Sequence, residues 1–300
     1  MPLVGLALGG GGARGLVHLG VIKVLEEEGI PIDLICGTSM GAIIGAIYAQ
    51  RGNISETIQV VKDYLASERH KDLELPLISE EEQEDSTPLS RLARTLAKRV
   101  YAISLGAKRS FFKSHVLEEA INFLIKEGRI EDTQIPFAAV ATDLNSGKTL
   151  IFSKGDIRQG VKRSSLVPGF LPPEKEKDLL ITDGGVTQLI PVESTQKLGA
   201  EMVIAVSANP SKLPPLKDPA MMDIIERCQL IMGLEVSRLQ AEKADVLINP
   251  PLPYVPWSNF TECDRFIKAG IDSAKEQLPQ IKKVLKLKRS WFFRLVSRFN

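Results

Sequence analysis

The sequence predicts an α/β protein of three layers, a mainly parallel sheet with helices on both faces. The first fifty residues run strand, glycine turn and helix twice over, the alternation that builds parallel strands joined by crossover helices. The runs read as strands are apolar throughout, as strands covered on both faces are. The second helix, Ala42–Arg51, is almost uncharged and rich in small residues, so it belongs inside rather than on the surface.

In chain order, Val4–Leu8 is an apolar run that stops at Gly9–Gly12. Leu16, Leu19, Val21, Val24 and Leu25 then recur at helical spacing up to Gly29. Ile32–Cys36 is the second strand, broken by Gly37-Thr38-Ser39-Met40-Gly41, and the second helix closes at Gly52. Beyond Ser55 the texture changes. Residues 68–85 hold eight acids and two basic residues, and residues 86–117 hold seven Lys/Arg and no acid. Leu89, Leu92, Leu96, Val100 and Ile103 put an apolar stripe on that basic stretch. Residues 66–113 therefore read as a polar and basic insertion, or lid, within one domain of residues 1–280. Strands follow near 137–142, 149–152, 178–182, 202–206 and 245–248, with helices near 114–127, 219–244 and 263–279. From Lys282 seven basic residues and no acid alternate with apolar and aromatic ones, setting residues 281–300 apart as a basic-aromatic tail.

Composition narrows the function classes. With 300 residues, 44% hydrophobic and 25% charged, the chain is an ordinary globular one rather than a disordered or disulfide-built one. A net charge of +1 supplies no field for nucleic acid, so no nucleic-acid partner is expected. Cys36, Cys228 and Cys263 are scattered, which argues against a zinc site and fits a reducing compartment. Met1–Leu8 lacks the basic start of a signal peptide, and glycines and polar residues interrupt Leu34–Gln50. The expected location is the cytoplasm.

Gly10-Gly11-Gly12-Ala13-Arg14-Gly15 satisfies G-x-G-x-x-G between a strand and a helix. A dinucleotide site would also need an acid at the carboxyl end of the second strand, where Gly37-Thr38-Ser39 stands; Asp33 lies at the wrong end, and no Walker lysine follows. What remains is a nest of backbone N–H groups at a helix start, able to hold any oxyanion. Gly37-Thr38-Ser39-Met40-Gly41 is G-x-S-x-G between strand and helix, the setting of a nucleophile elbow. A helix-capping serine is the plainer reading. Nest and elbow end successive strands, however, so both open on the same sheet edge, where α/β proteins bind ligands.

A serine nucleophile needs a base. His18, one turn into the first helix, is expected to be exposed or supporting; His70 and His115 fit a Ser–acid–His order poorly. Carboxylates at strand ends remain. Asp183 precedes Gly184-Gly185 and suits close approach to another loop, whereas Asp143, before Asn145-Ser146-Gly147, reads as a turn residue.

Together, Gly10–Gly15, Gly37–Gly41 and Asp183-Gly184-Gly185 resemble the patatin-like phospholipase family, in the style of its bacterial members near neuropathy target esterase. The stretches 141–144 and 164–173, and Pro191-Val192, match as well, and the resemblance covers about residues 3 to 275. It implies a patatin-like fold, Ser39 as nucleophile and Asp183 as its sole partner, without histidine. It also implies an oxyanion hole at Gly10, Gly11 and Gly12. Arg14, Gly15, Gly37, Gly41, Gly184 and Gly185 would support these loops. The implied reaction is hydrolysis of a lipid carboxylic ester, phospholipid or lysophospholipid, with no metal and no cofactor. Gln188 departs from the family's more frequent Asn. The alternative is a lipid-responsive regulator or adaptor on the same fold with little turnover. Beyond the lipid substrate, the expected partner is an anionic membrane surface, met through Lys282–Asn300 with 89–113 as a further candidate. The protein would then sit peripherally on the inner face of the membrane.

Overall fold

The computed structural model describes residues 2–67 and 114–296. The basic stripe of the insertion, and the 89–113 membrane candidate with it, lie outside the described residues. Eight strands form one sheet: β1 (Val4–Leu8), β2 (Leu34–Thr38), β3 (Phe137–Asp143), β4 (Lys148–Phe152), β5 (Glu174–Glu176), β6 (Leu179–Asp183), β7 (Met202–Val206) and β8 (Val246–Ile248). β3-β2-β1-β7-β8 is the parallel core, and β4, β5 and β6 add antiparallel neighbours.

Alternation along the strands sets the two faces. Val4, Leu6 and Leu8 with Met202, Ile204 and Val206 join the main core, under α1 (Val17–Glu27), α2 (Met40–Arg51) and the long α8 (Cys263–Val296). Ala7, Val203 and Ala205 point the other way, toward α6 (Val192–Lys197). Small residues on that face let the short helix lie close: a Cβ on Gly5 would stand 2.4 Å from the Thr195 side chain. The predicted layering, a mainly parallel sheet with helices on both faces, is the one observed.

Local chemistry places the remaining helices. Asn53 caps α3 (Ile54–Ala66) by accepting from the Glu56 N–H, and Asp156 caps α5 (Ile157–Ser164) by accepting from Gln159. α4 (Ser114–Leu124) and α7 (Met221–Ala241) complete the set. The helix expected over 263–279 runs on through Pro279 to Val296. Ile281 and Leu285 are buried, Lys282 pairs with Glu28 at 2.7 Å, and Lys288 pairs with Asp245 at 2.6 Å. One face of the start of the basic tail, Ile281, Lys282, Leu285 and Lys288, is thus docked on the domain. Among the described residues no helix is long and apolar enough to cross a membrane.

One junction decides the geometry of the site. β4 occupies one side of β3 along 139–143. β2 (facing 137–140) and β6 (facing 141–143) therefore share the other side. β2 runs up that side and antiparallel β6 runs down it, so their carboxyl ends meet head-on at Thr38 and Asp183.

Candidate active site

The elbow begins where β2 ends. Ser39 takes φ 54°, ψ −123°, outside the regions comfortable for a residue with a Cβ, and such strain collects at functional positions. Its carbonyl accepts from the N–H groups of Ala42 and Ile43, starting α2. Its N–H donates to Ser164 Oγ at 3.0 Å, and Ser164 donates in turn to Val140 O at 2.5 Å. Thr38 Oγ1 donates to Gln188 O at 2.8 Å. The strained turn is therefore tied to β3 and to the turn beyond Asp183. Gly41 lets α2 begin against β1: a Cβ there would stand 2.2 Å from Leu8 O. A Cβ on Gly37 would meet Ala42 at 2.5 Å, and one on Gly15 would meet Met40 at 2.4 Å.

Asp183 closes the other side. A Cβ on Gly184 would lie 2.2 Å from Val140 O and 3.1 Å from Thr38 Cγ2, so the turn after β6 presses directly on the elbow. Oδ1 of Asp183 accepts from the Gly185 N–H at 2.6 Å, and Oδ2 is buried with no partner in hydrogen-bonding geometry. Burial pushes the carboxyl up to about 6, against the pull of the Gly185 N–H and of the Ser39 hydroxyl beside it. The serine acts on the carboxyl as a nearby donor, without a well-formed hydrogen bond.

The glycine nest lies across from this pair. A Cβ on Gly10 would stand 3.2 Å from Ser39 Cβ, so Gly10 lines the space over the serine. Its N–H is already bonded to Leu189 O at 2.9 Å, which corrects the expectation that it offers a donor. The N–H groups of Gly11 and Gly12 take no acceptor among the described residues, and Gly12 has φ 56°. Arg14 is buried beneath the nest, donating to Ala208 O at 3.0 Å and to Val255 O at 2.9 Å, so its cation fixes two neighbouring loops.

His18 is fully buried rather than exposed. Burial lowers it to about 4, so it is neutral at pH 7. Its Nε2 pairs with Gly9 O at 2.7 Å, and neutrality makes that nitrogen the donor. It positions the strand leading into the nest. Asp143 is the turn residue expected: its carboxylate accepts from Asn145, Ser146 and Leu180. Sequence reading missed the Ser164 bridge, because a serine in a helix's last turn carries no signal of its distant partner. Asp183 stands at a strand end as expected, and that strand, β6, runs antiparallel to β3. Among the described residues no group of three or more His, Cys, Asp or Glu is placed to hold a metal ion.

A family model described as patatin-like phospholipase matches residues 6–195, a span holding the nest, the elbow and the Asp183 turn. Patatin-like phospholipase domain-containing protein 6 of Homo sapiens is 30% identical over 68% of this chain and 13% of its own length. An uncharacterized NTE family protein of Mycobacterium tuberculosis is 32% identical over 72% of this chain and 52% of its own. Lysophospholipase NTE1 of Mycosarcoma maydis is 31% identical over 68% of this chain and 9% of its own. The chain thus spans about half, or far less, of the relatives it matches.

Proposed function

Since the chain belongs to the patatin-like phospholipase family, we propose that it hydrolyses a lipid carboxylic ester, phospholipid or lysophospholipid, through Ser39 and Asp183. One observation carries the reading: a strained, half-buried serine lies beside a buried carboxylate whose Oδ2 has no hydrogen-bond partner. Ser39 Oγ attacks the ester carbonyl, and its proton passes to Asp183. The N–H groups of Gly11 and Gly12 receive the oxyanion, a task for which preorganised donors are each worth about 10²–10³ in rate. Collapse of the tetrahedral species expels the alcohol, which takes the proton from Asp183 and leaves an acyl-serine. Water, deprotonated by Asp183, then attacks the acyl carbon and releases the fatty acid, returning the proton to Ser39. A carboxyl held near 6 is a better proton acceptor than an ordinary aspartate and is still ionised at pH 7.

Peripheral association with a membrane follows from such a substrate. Lys282 and Lys288 are engaged by Glu28 and Asp245, and Ile281 and Leu285 are buried, which leaves Lys283, Lys286 and the residues beyond Lys288 as the part of the basic tail able to meet an anionic surface. Lys288 itself lies at the amino ends of β7 and β8, beside Glu201 and Asp245, opposite the edge that carries Ser39. The tail is therefore a poor means of presenting the site to lipid.

Intact-mass labelling with a fluorophosphonate tests the proposal. A single adduct is expected on the wild type and on His18→Ala, and none on Ser39→Ala. Labelling without turnover of any ester would favour the regulator instead.

A further inference from the structure

Among the described helices of eight residues or more, α7 packs least against the rest of the domain. It touches the body through its last turn, where Ser237, Gln240 and Ala241 are buried. Ser237 Oγ accepts from Asn209 Nδ2 at 2.7 Å, just past the carboxyl end of β7. Gln240 donates to Thr187 O at 2.7 Å and accepts from the Ile190 N–H at 3.3 Å, in the loop that follows Asp183. The helix is thus bolted to two loops of the candidate active-site edge. The preceding residues, 221–236, about 24 Å of helix, bury no side chain fully among the described residues, and Arg227 ties them to Pro214 O at 2.7 Å.

That portion is not polar. Met221, Ile225, Ile231, Met232, Val236 and Leu239 are all exposed, Met221 at 71% and Met232 at 59%. At 100° per residue, these side chains fall within an arc of about 140° on one face. Glu235 is the one acid in the arc, and Arg238 neutralises it in an ion pair at 2.6 Å. Between Ser211 and Lys243 five acidic residues balance five basic ones, so the segment has no net charge with which to seek an anionic leaflet.

We propose that the exposed face of α7 docks on the surface of a neutral, zwitterionic bilayer, laying the Ser39 edge against lipid. An amphipathic helix of this kind seats its apolar face at the headgroup–acyl boundary. Charge balance suits zwitterionic headgroups, and Arg227 and Arg238 border the arc where the headgroups would lie. A lipid surface is the occupant because the face adjoins the edge at which a membrane-borne ester must arrive. The inference rests on the reading of that edge as a lipid-ester site.

Flotation of the full chain with phosphatidylcholine vesicles tests it, using Ser39→Ala protein so that the vesicles are not consumed. Binding should survive high salt and fall about tenfold or more with Ile225→Glu/Met232→Glu, while hydrolysis of a soluble ester by the same double variant in the Ser39 background stays unchanged. Met221→Glu, at the most exposed position, should act the same way without touching the packed turn. Unaltered flotation of both variants overturns the proposal. So does a wild type that ignores vesicles but forms a dimer that the substitutions dissociate, which would assign the face to a second copy. A wild type inert toward every ester would defeat the catalytic reading, yet flotation would still judge the surface.

Discussion

Two helices that each follow a strand of the parallel core end in opposite surroundings. α2 has twelve residues, about 18 Å, nearly matching the 16 Å or so of a five-residue strand. It lies along the sheet, and residues 41–49 are all buried. α7 has twenty-one residues, about 32 Å, and the residues it buries, Ser237, Gln240 and Ala241, are all at its carboxyl end. Length alone does not decide this, since the longer α8 packs along α1; what separates α2 from α7 is how much of each is laid against the sheet. The short helix starts at Ser39, the proposed nucleophile, and holds it on the sheet edge; the long one hangs from the surrounding loops by its carboxyl end.

The sharpest way to separate these roles is to remove the group at the head of α2. Ser39→Ala should lower kcat/KM on a soluble ester by about 10³-fold or more and leave vesicle flotation intact. A residual activity within tenfold of wild type would take the nucleophile away from Ser39. Next in size is Gly41→Ala, whose Cβ would sit 2.2 Å from Leu8 O. It should destabilise the fold by about 1–3 kcal/mol and reduce activity with it, read as a lower Tm and a lower kcat together.

Asp183→Asn should abolish turnover and change the pH dependence of stability. The folded carboxyl is raised to about 6 from an ordinary 3.8, so it favours the fold while protonated, and that contribution is lost as pH rises through 6. The Asn variant should therefore melt above wild type at pH 8, by on the order of 2 kcal/mol, and level with it near pH 4. For the wild type, kcat/KM should rise with pH through about 6 as Asp183 ionises; a flat profile there would deny it the role of base. The smallest effect lies in α7. A Cβ on Gly233 meets nothing within 4 Å, so Gly233→Ala should raise stability by about 0.5–1 kcal/mol. The same substitution in two helices thus has opposite signs, and a matching sign would erase the distinction between them.

Much of this was legible in the chain. The apolar runs, the glycine turns and the periodicity of α1 set out β1 to α2, because uninterrupted hydrophobic segments between glycines have few alternatives. Ser39 and Asp183 were legible as a serine and an acid beside glycines. The direction of β6 was not: Leu179–Asp183 reads the same whichever way its neighbour runs, and only pairing with β3 decides it. Nor was the loss of the Gly10 donor, which depends on Leu189 O arriving from another loop. The docking of the start of the tail was hidden for a related reason. Basic residues beside apolar ones look alike on a membrane helix and on a docked one, and the partners Glu28 and Asp245 are distant in sequence.

The head-on meeting of β2 and β6 along one side of β3 makes the serine–aspartate gap a gauge of strand register. Ser39 comes from the first strands to be synthesised and Asp183 from far later in the chain, and β3 is the strand against which both are registered. A slip of β6 by two residues would keep every side chain on its proper face and still carry the carboxyl about 7 Å along the strand. Spectroscopic folding probes would hardly notice such a slip, whereas the ester turnover proposed for this pair would vanish. Specific activity per folded molecule is therefore a stricter criterion of correct assembly for this chain than any measure of its secondary structure.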